Sequence, residues 1–140
     1  MTTETHPTFR MGKWLNAALW IAQGLIAFFF LWGAYMKLGV PVTEAAKMMP
    51  WVAVHPELAR FTGMVDLAGG IGILLPALFK IKPALTLLAA KGVIVLQLLA
   101  MGFHLMRGEA MVLPMNLLLL GLAAFVLWGR RKAVSVVSMR

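Results

Sequence analysis

The chain has 140 residues, 61% of them hydrophobic, a formal net charge of +8 and no cysteine. Apolar content this far above that of soluble domains commits the length to membrane spans and leaves no room for a separate soluble catalytic domain. The missing cysteines exclude disulfides, thiol relays and cysteine-ligated clusters. The basic residues gather at span ends, which reads as orientation against anionic lipid of the bilayer rather than as a nucleic-acid surface.

Residues 1–13 read as a polar N-terminal tail. A helix needs about 20 residues to cross the hydrocarbon core. The first such stretch is about 14–36, ended by Gly39 and Pro41. It is longer and bulkier than the apolar region of a secretory signal and is expected to be retained. The connection 40–57 has a weak helical start at Thr43, broken by Pro50. Its Met48, Met49, Trp51 and Val52 fit either an interfacial cap over the bundle end or a loop with apolar residues tucked in.

The second span is predicted at about 58–79, with Pro56 in its first turn, Glu57 at the positive end of the helix dipole and Lys80 at the other. Pro76 is expected to kink its last turns, a break membranes tolerate where neighbours re-satisfy the backbone. The third span, about 84–105, starts after Pro83. The fourth is about 111–129, with Pro114 in its first turn. Arg130, Arg131 and Lys132 then open a basic C-terminal tail, 130–140. Short connections at 80–83 and 106–110 force antiparallel neighbours. The expected fold is all-α: a polytopic, antiparallel four-helix transmembrane bundle over 14–129.

Basic residues give its direction. One side holds Arg10, Lys13, Lys80, Lys82, Arg130, Arg131, Lys132 and Arg140. The other holds Lys37, Lys47, Arg60 and Arg107, diluted by Glu44, Glu57 and Glu109. Eight against four places both termini in the cytoplasm of a multi-pass cell-membrane protein, the inner membrane if the source is Gram-negative.

Asp66 lies within the second apolar stretch. A carboxylate there is costly unless it faces protein or water, or has a partner, and so marks a candidate site. Asn16, Gln23, Phe30 and Lys37 recur every seven residues on one face of the first span. Gln97 and His104 are seven apart in the third, and Asn116 is in the fourth. Gly63 and Gly70 flank Asp66 on its own face, where a helix or ligand can approach closely. At 1.5 Å per residue, Lys37, Asp66, His104 and Asn116 all fall in the non-cytoplasmic half, one per helix. Asp66 is expected to lie within reach of Lys37 or His104, directly or through one water.

Each of these residues also has a structural reading. Asp66 can simply fix helix packing, Asn116, Gln23 and Gln97 can bridge helices, and Lys37 can snorkel to the headgroups. Lys91 lies off the polar face, which fits snorkelling or a partner contact. His6, His55 and His104 include only one histidine within a span, so the facing pair that ligates a b-type haem is missing. Neither HExxH nor a glycine-rich nucleotide loop occurs, so no metal site is expected. No inverted repeat of the transporter kind is evident.

FLWGAYMKL at 30–38, GMVDLAGGIGILLP at 63–76, FHLMRGE at 103–109 and PMN at 114–116 follow one another across the spans. In their order and spacing, from about Trp14 to Gly129, the chain resembles the DoxX/DoxX-like family of small four-helix membrane proteins. Glutamate is common in that family where this chain has Asp66, so the carboxylate carries over with a shorter reach. The matching polar residues are Lys37, Asp66, His104 and Asn116. Some members look like membrane subunits of a thiosulfate:quinone oxidoreductase, others are associated with redox-stress complexes, and many have no assigned activity. The resemblance implies a membrane subunit or small-molecule binding module working with a redox partner. Quinone is the ligand it suggests, since a quinone needs only apolar walls and one or two polar groups. The alternative is a non-enzymatic scaffold, binding a partner protein or a second copy of itself.

Overall fold

The structure, a computed structural model, describes residues 11–138, with side chains described as far as residue 133. Most of the expected N-terminal tail, residues 1–10, lies outside the described residues. The long helices are α1 (Lys13–Ala34), α4 (Pro56–Leu78), α5 (Ala84–Met106) and α6 (Leu113–Ser138). Between α1 and α4 lie the short helices α2 (Val42–Met48) and α3 (Trp51–Val54). Four segments, Lys13–Gly39, Pro56–Leu78, Ala84–Met106 and Ala110–Ala133, are long and apolar enough to cross a membrane. At 23 residues, α4 and α5 each extend about 35 Å, enough for a hydrocarbon core of about 30 Å. The chain is a polytopic four-helix transmembrane bundle.

Helix neighbours follow the ring α1–α4–α5–α6 and back to α1. Leu19, Ile26, Phe30, Ile73, Val93 and Val126 fill its axis. Most remaining large apolar side chains, Phe28, Met64, Leu88 and Leu99 among them, point outward, as expected where the solvent is lipid. Glycines set the α1–α4 approach. A Cβ on Gly63 would lie 2.9 Å from the Leu38 side chain, and one on Gly70 would lie 3.0 Å from Leu31. Both glycines are therefore at a close helix contact on the face that carries Asp66.

Two boundaries differ from the sequence reading. The first span does not stop at 36: it ends in a π-helical turn, Tyr35–Gly39, which carries Lys37. The last helix runs through Arg130, Arg131 and Lys132 to Ser138, so the basic cluster is helical and not the start of a separate tail. The helix continues for about two and a half turns beyond Gly129, and no proline or glycine after Gly129 interrupts it. Pro76 sits two residues before the end of α4, where its missing N–H removes one backbone bond of the last turn.

One end of the bundle is covered by α2 and α3 and is called the capped end here. The other carries Lys13, Lys80, Lys82 and Arg130 and is called the basic end. The cap is helical and tucked in: Ala45, Trp51 and Val52 are buried with Met36 and Ala59, against Phe103. Met48 and Val54 remain exposed on its outer side.

Candidate functional site

The π-turn at Tyr35–Gly39 presents Lys37 to α4. There Lys37 Nζ donates to Asp66 Oδ2 at 2.7 Å, and the two side chains are only 13% and 9% exposed. The carboxylate also needs a gap in α1. Gly33 supplies it, since a Cβ there would lie 2.9 Å from Asp66 Oδ2. The ammonium of Lys37 stands over the Trp51 ring, 5.6 Å from its centre. The cap helix α3 thus closes the ion pair from above with an aromatic face, a favourable seat for a cation.

His104 takes a different partner. Helix α5 ends at Met106, and Gly108 follows with φ +71°. The Glu109 N–H bonds back to the His104 carbonyl at 2.9 Å and the Gly108 N–H to that of Leu105 at 3.1 Å. This is a Schellman ending, whose left-handed residue glycine adopts without strain. The turn swings Glu109 back over the helix end. Its Oε2 lies 2.6 Å from His104 Nδ1 and its Oε1 2.9 Å from Arg107 Nε. Hydrogen bonding from the His104 ring, followed by Arg107, holds the Glu109 carboxyl below its ordinary value of 4.5.

Three of the four residues that the sequence groups at one depth therefore divide between two sites, and Asn116 joins neither. Lys37 pairs with Asp66, His104 joins Glu109 and Arg107, and Phe103 links them through edge-on contacts with Trp51 and His104, at 5.5 and 5.4 Å between centres. Asn116 is buried, but among the described residues its Nδ2 has no hydrogen-bond partner, and neither does the buried Oε1 of Gln97. Neither amide joins the ion pairs. Gln23 is completely buried nearer the basic end. Its Nε2 donates to the Ile73 carbonyl at 2.6 Å, and its Oε1 accepts from Arg130 Nε at 2.7 Å. Arg130 Nη1 also donates to Asn16 at 3.1 Å. The polar stripe on α1 thus serves α4 at both ends and α6 at one. Lys91 is exposed on the outside of α5.

Sequence reasoning missed Gly33, Trp51, Glu109 and Arg130 as members of these clusters. Glu109 had a visible signal, the acid one residue beyond the glycine that ends α5. Among the described residues, no three His, Asp or Glu side chains are grouped to hold a metal ion.

A separate feature lies on the α4–α5 side. A groove of about 770 Å³ runs from Phe30 and Gly69 at mid-depth past Gly72, Leu75 and Gly92 to Phe79 at the basic end. Its lining residues are all apolar, and it includes neither Asp66 nor His104.

The family profile described as DoxX-like matches residues 21–126, well over half of the chain. The chain belongs to the DoxX-like family. The match covers Lys37, Asp66, His104 and Asn116, together with the cap and the groove. No curated protein and no solved structure shows significant similarity to this DoxX-like chain.

Proposed function

We propose that this DoxX-like protein is a membrane module that holds an apolar small molecule of the quinone class in the α4–α5 groove and works beside a redox partner protein. The observation that carries the reading is the groove itself. Its volume of about 770 Å³ lies in the range of small-molecule sites. It opens toward the layer where lipid-soluble molecules reside. Val65, next to Asp66, and Gly69, within one turn of it, line its mid-depth end, so the groove and the ion pair occupy different faces of the same turns of α4. The chain has no cysteine for redox work of its own, which is the reason for assigning the chemistry to a partner.

Gly92 provides the test. It lines the groove, and a Cβ there meets nothing within 4 Å, so Gly92→Leu fills the space without forcing the helices apart. Purified protein titrated with a short-tailed ubiquinone analogue should show saturable binding, reduced at least about tenfold in Gly92→Leu, the loss expected where roughly 1.4 kcal/mol of apolar contact is blocked. Equal binding by both proteins would exclude the groove.

A second reading, a non-enzymatic scaffold, has its own support. Asp66 and His104 each find a partner within the chain, so neither requires a ligand. A scaffold would show no saturable quinone binding.

A further inference from the structure

A second, smaller cavity of about 230 Å³ opens at the basic end, lined by Trp20, Pro76, Lys80, Pro83, Thr86 and Arg130, with Ala77 and Ala133. Every long helix contributes to it. Three observations single it out. Its two cations, Lys80 and Arg130, have no carboxylate partner among the described residues, because Glu44, Glu57, Asp66 and Glu109 are all paired near the capped end. Two of its polar atoms, Thr86 Oγ1 and Arg130 Nη2, are buried without a hydrogen-bond partner among the described residues, and Thr86 is only 2% exposed. The turn above it is strained: Lys80 and Lys82 have φ of 54° and 36°, in a region that side chains other than glycine's rarely adopt. Such strain persists where the surroundings hold a residue for a purpose.

A buried arginine nitrogen and a hydroxyl left unpaired are costly, and a ligand that accepts from both offsets that cost. The ligand must be an anion, because among the described residues the pocket holds two positive charges and no negative one. It must present several acceptor oxygens. One side of it must be apolar, to lie against Trp20, Pro76 and Pro83.

We propose that this pocket binds a phosphate group, with Arg130 and Thr86 as donors and Lys80 as the second cation, and that its source is the headgroup of an anionic phospholipid. Arg130 is fixed for the task. Its Nε and Nη1 are held by Gln23 and Asn16, which leaves Nη2 for the ligand. The ring of Trp20 lies 5.0 Å from the guanidinium carbon and shields it from water. The site is independent of the quinone reading, since the Gly92 position lies outside this cavity.

The experiment uses delipidated full-length protein in neutral detergent. Thermal stability is followed with added dioleoylphosphatidylglycerol, dioleoylphosphatidylcholine or inorganic phosphate, and bound lipid is counted by native mass spectrometry. Phosphatidylglycerol should stabilise the protein and remain bound where phosphatidylcholine does not. Lys80→Gln and Thr86→Val should each weaken phosphatidylglycerol about fivefold, and Gly92→Leu should leave it unchanged. Arg130→Gln is not the deciding variant, because it also breaks the bonds to Gln23 and Asn16. Inorganic phosphate that stabilises as well as phosphatidylglycerol, with the same loss in both variants, supports the phosphate site and overturns the lipid as its source. Equal effects of the two lipids, or phosphatidylglycerol binding unchanged in both variants, would overturn the site.

Discussion

Lys37 and Asp66 show why one residue in the chain could be read so far and no further. A carboxylate inside an apolar helix needs a cation or donor, and Lys37 lies at a depth that lets it serve. What the sequence does not reveal is the space the pair requires, which comes from Gly33 on the opposing helix. Removing one member of a buried pair leaves the other uncompensated. Asp66→Leu and Lys37→Met should each destabilise the protein by about 3 kcal/mol, whereas the double variant carrying both should cost less than the sum of the single changes. A denaturation series in detergent checks this, and strictly additive losses would show that the pair is not coupled. Glu109 supports a second test. Its carboxyl is held low by the His104 ring and Arg107, so its stabilising contribution is present above pH 4.5, the ordinary value, and is lost as pH falls through the lower folded value. The fall in thermal stability on acidification below about pH 4.5 should therefore be shallower in Glu109→Gln. Identical profiles for the two proteins would remove Glu109 from the account.

At the scale of elements, the spans were legible because hydropathy and length fix them almost alone. Pro56 stands in the first turn of α4 and Pro83 immediately before α5. The cap was not decided by its sequence, because Trp51 and Val52 suit a membrane surface as well as a protein interior. The folded chain buries them against Met36, Ala59 and Phe103. The π-turn at the end of α1 had no sequence signal; it carries the lysine that reaches across to Asp66 of α4. The partner of His104 was hidden for a local reason, because Glu109 reads as loop charge until the Schellman turn folds it back. The α1–α4 contact gives a test at this scale. Gly70→Leu places a side chain where even a Cβ lies 3.0 Å from Leu31, so it should destabilise the bundle by about 1–3 kcal/mol. Thermal unfolding of the variant measures it, and wild-type stability would mean that α1 and α4 do not meet on this face.

Among the described residues, charge separates along the bundle axis: paired acids and bases near the capped end, and cations without carboxylate partners in the cavity of the basic end. From that asymmetry we propose that the basic end, with both termini, faces the cytoplasm. The cysteine-free chain makes single-cysteine labelling unambiguous. In intact cells an impermeant reagent should modify Met48→Cys and leave Lys13→Cys untouched, and the reverse pattern would invert the protein. The central claim, that the α4–α5 groove is a small-molecule site, is tested most directly by a structure of the protein in native-lipid nanodiscs. The account predicts a discrete elongated density between α4 and α5, beside Gly69 and Gly92, that disappears in Gly92→Leu. A groove closed by contact between the two helices, or filled only by the same diffuse lipid density as the rest of the surface, would contradict it.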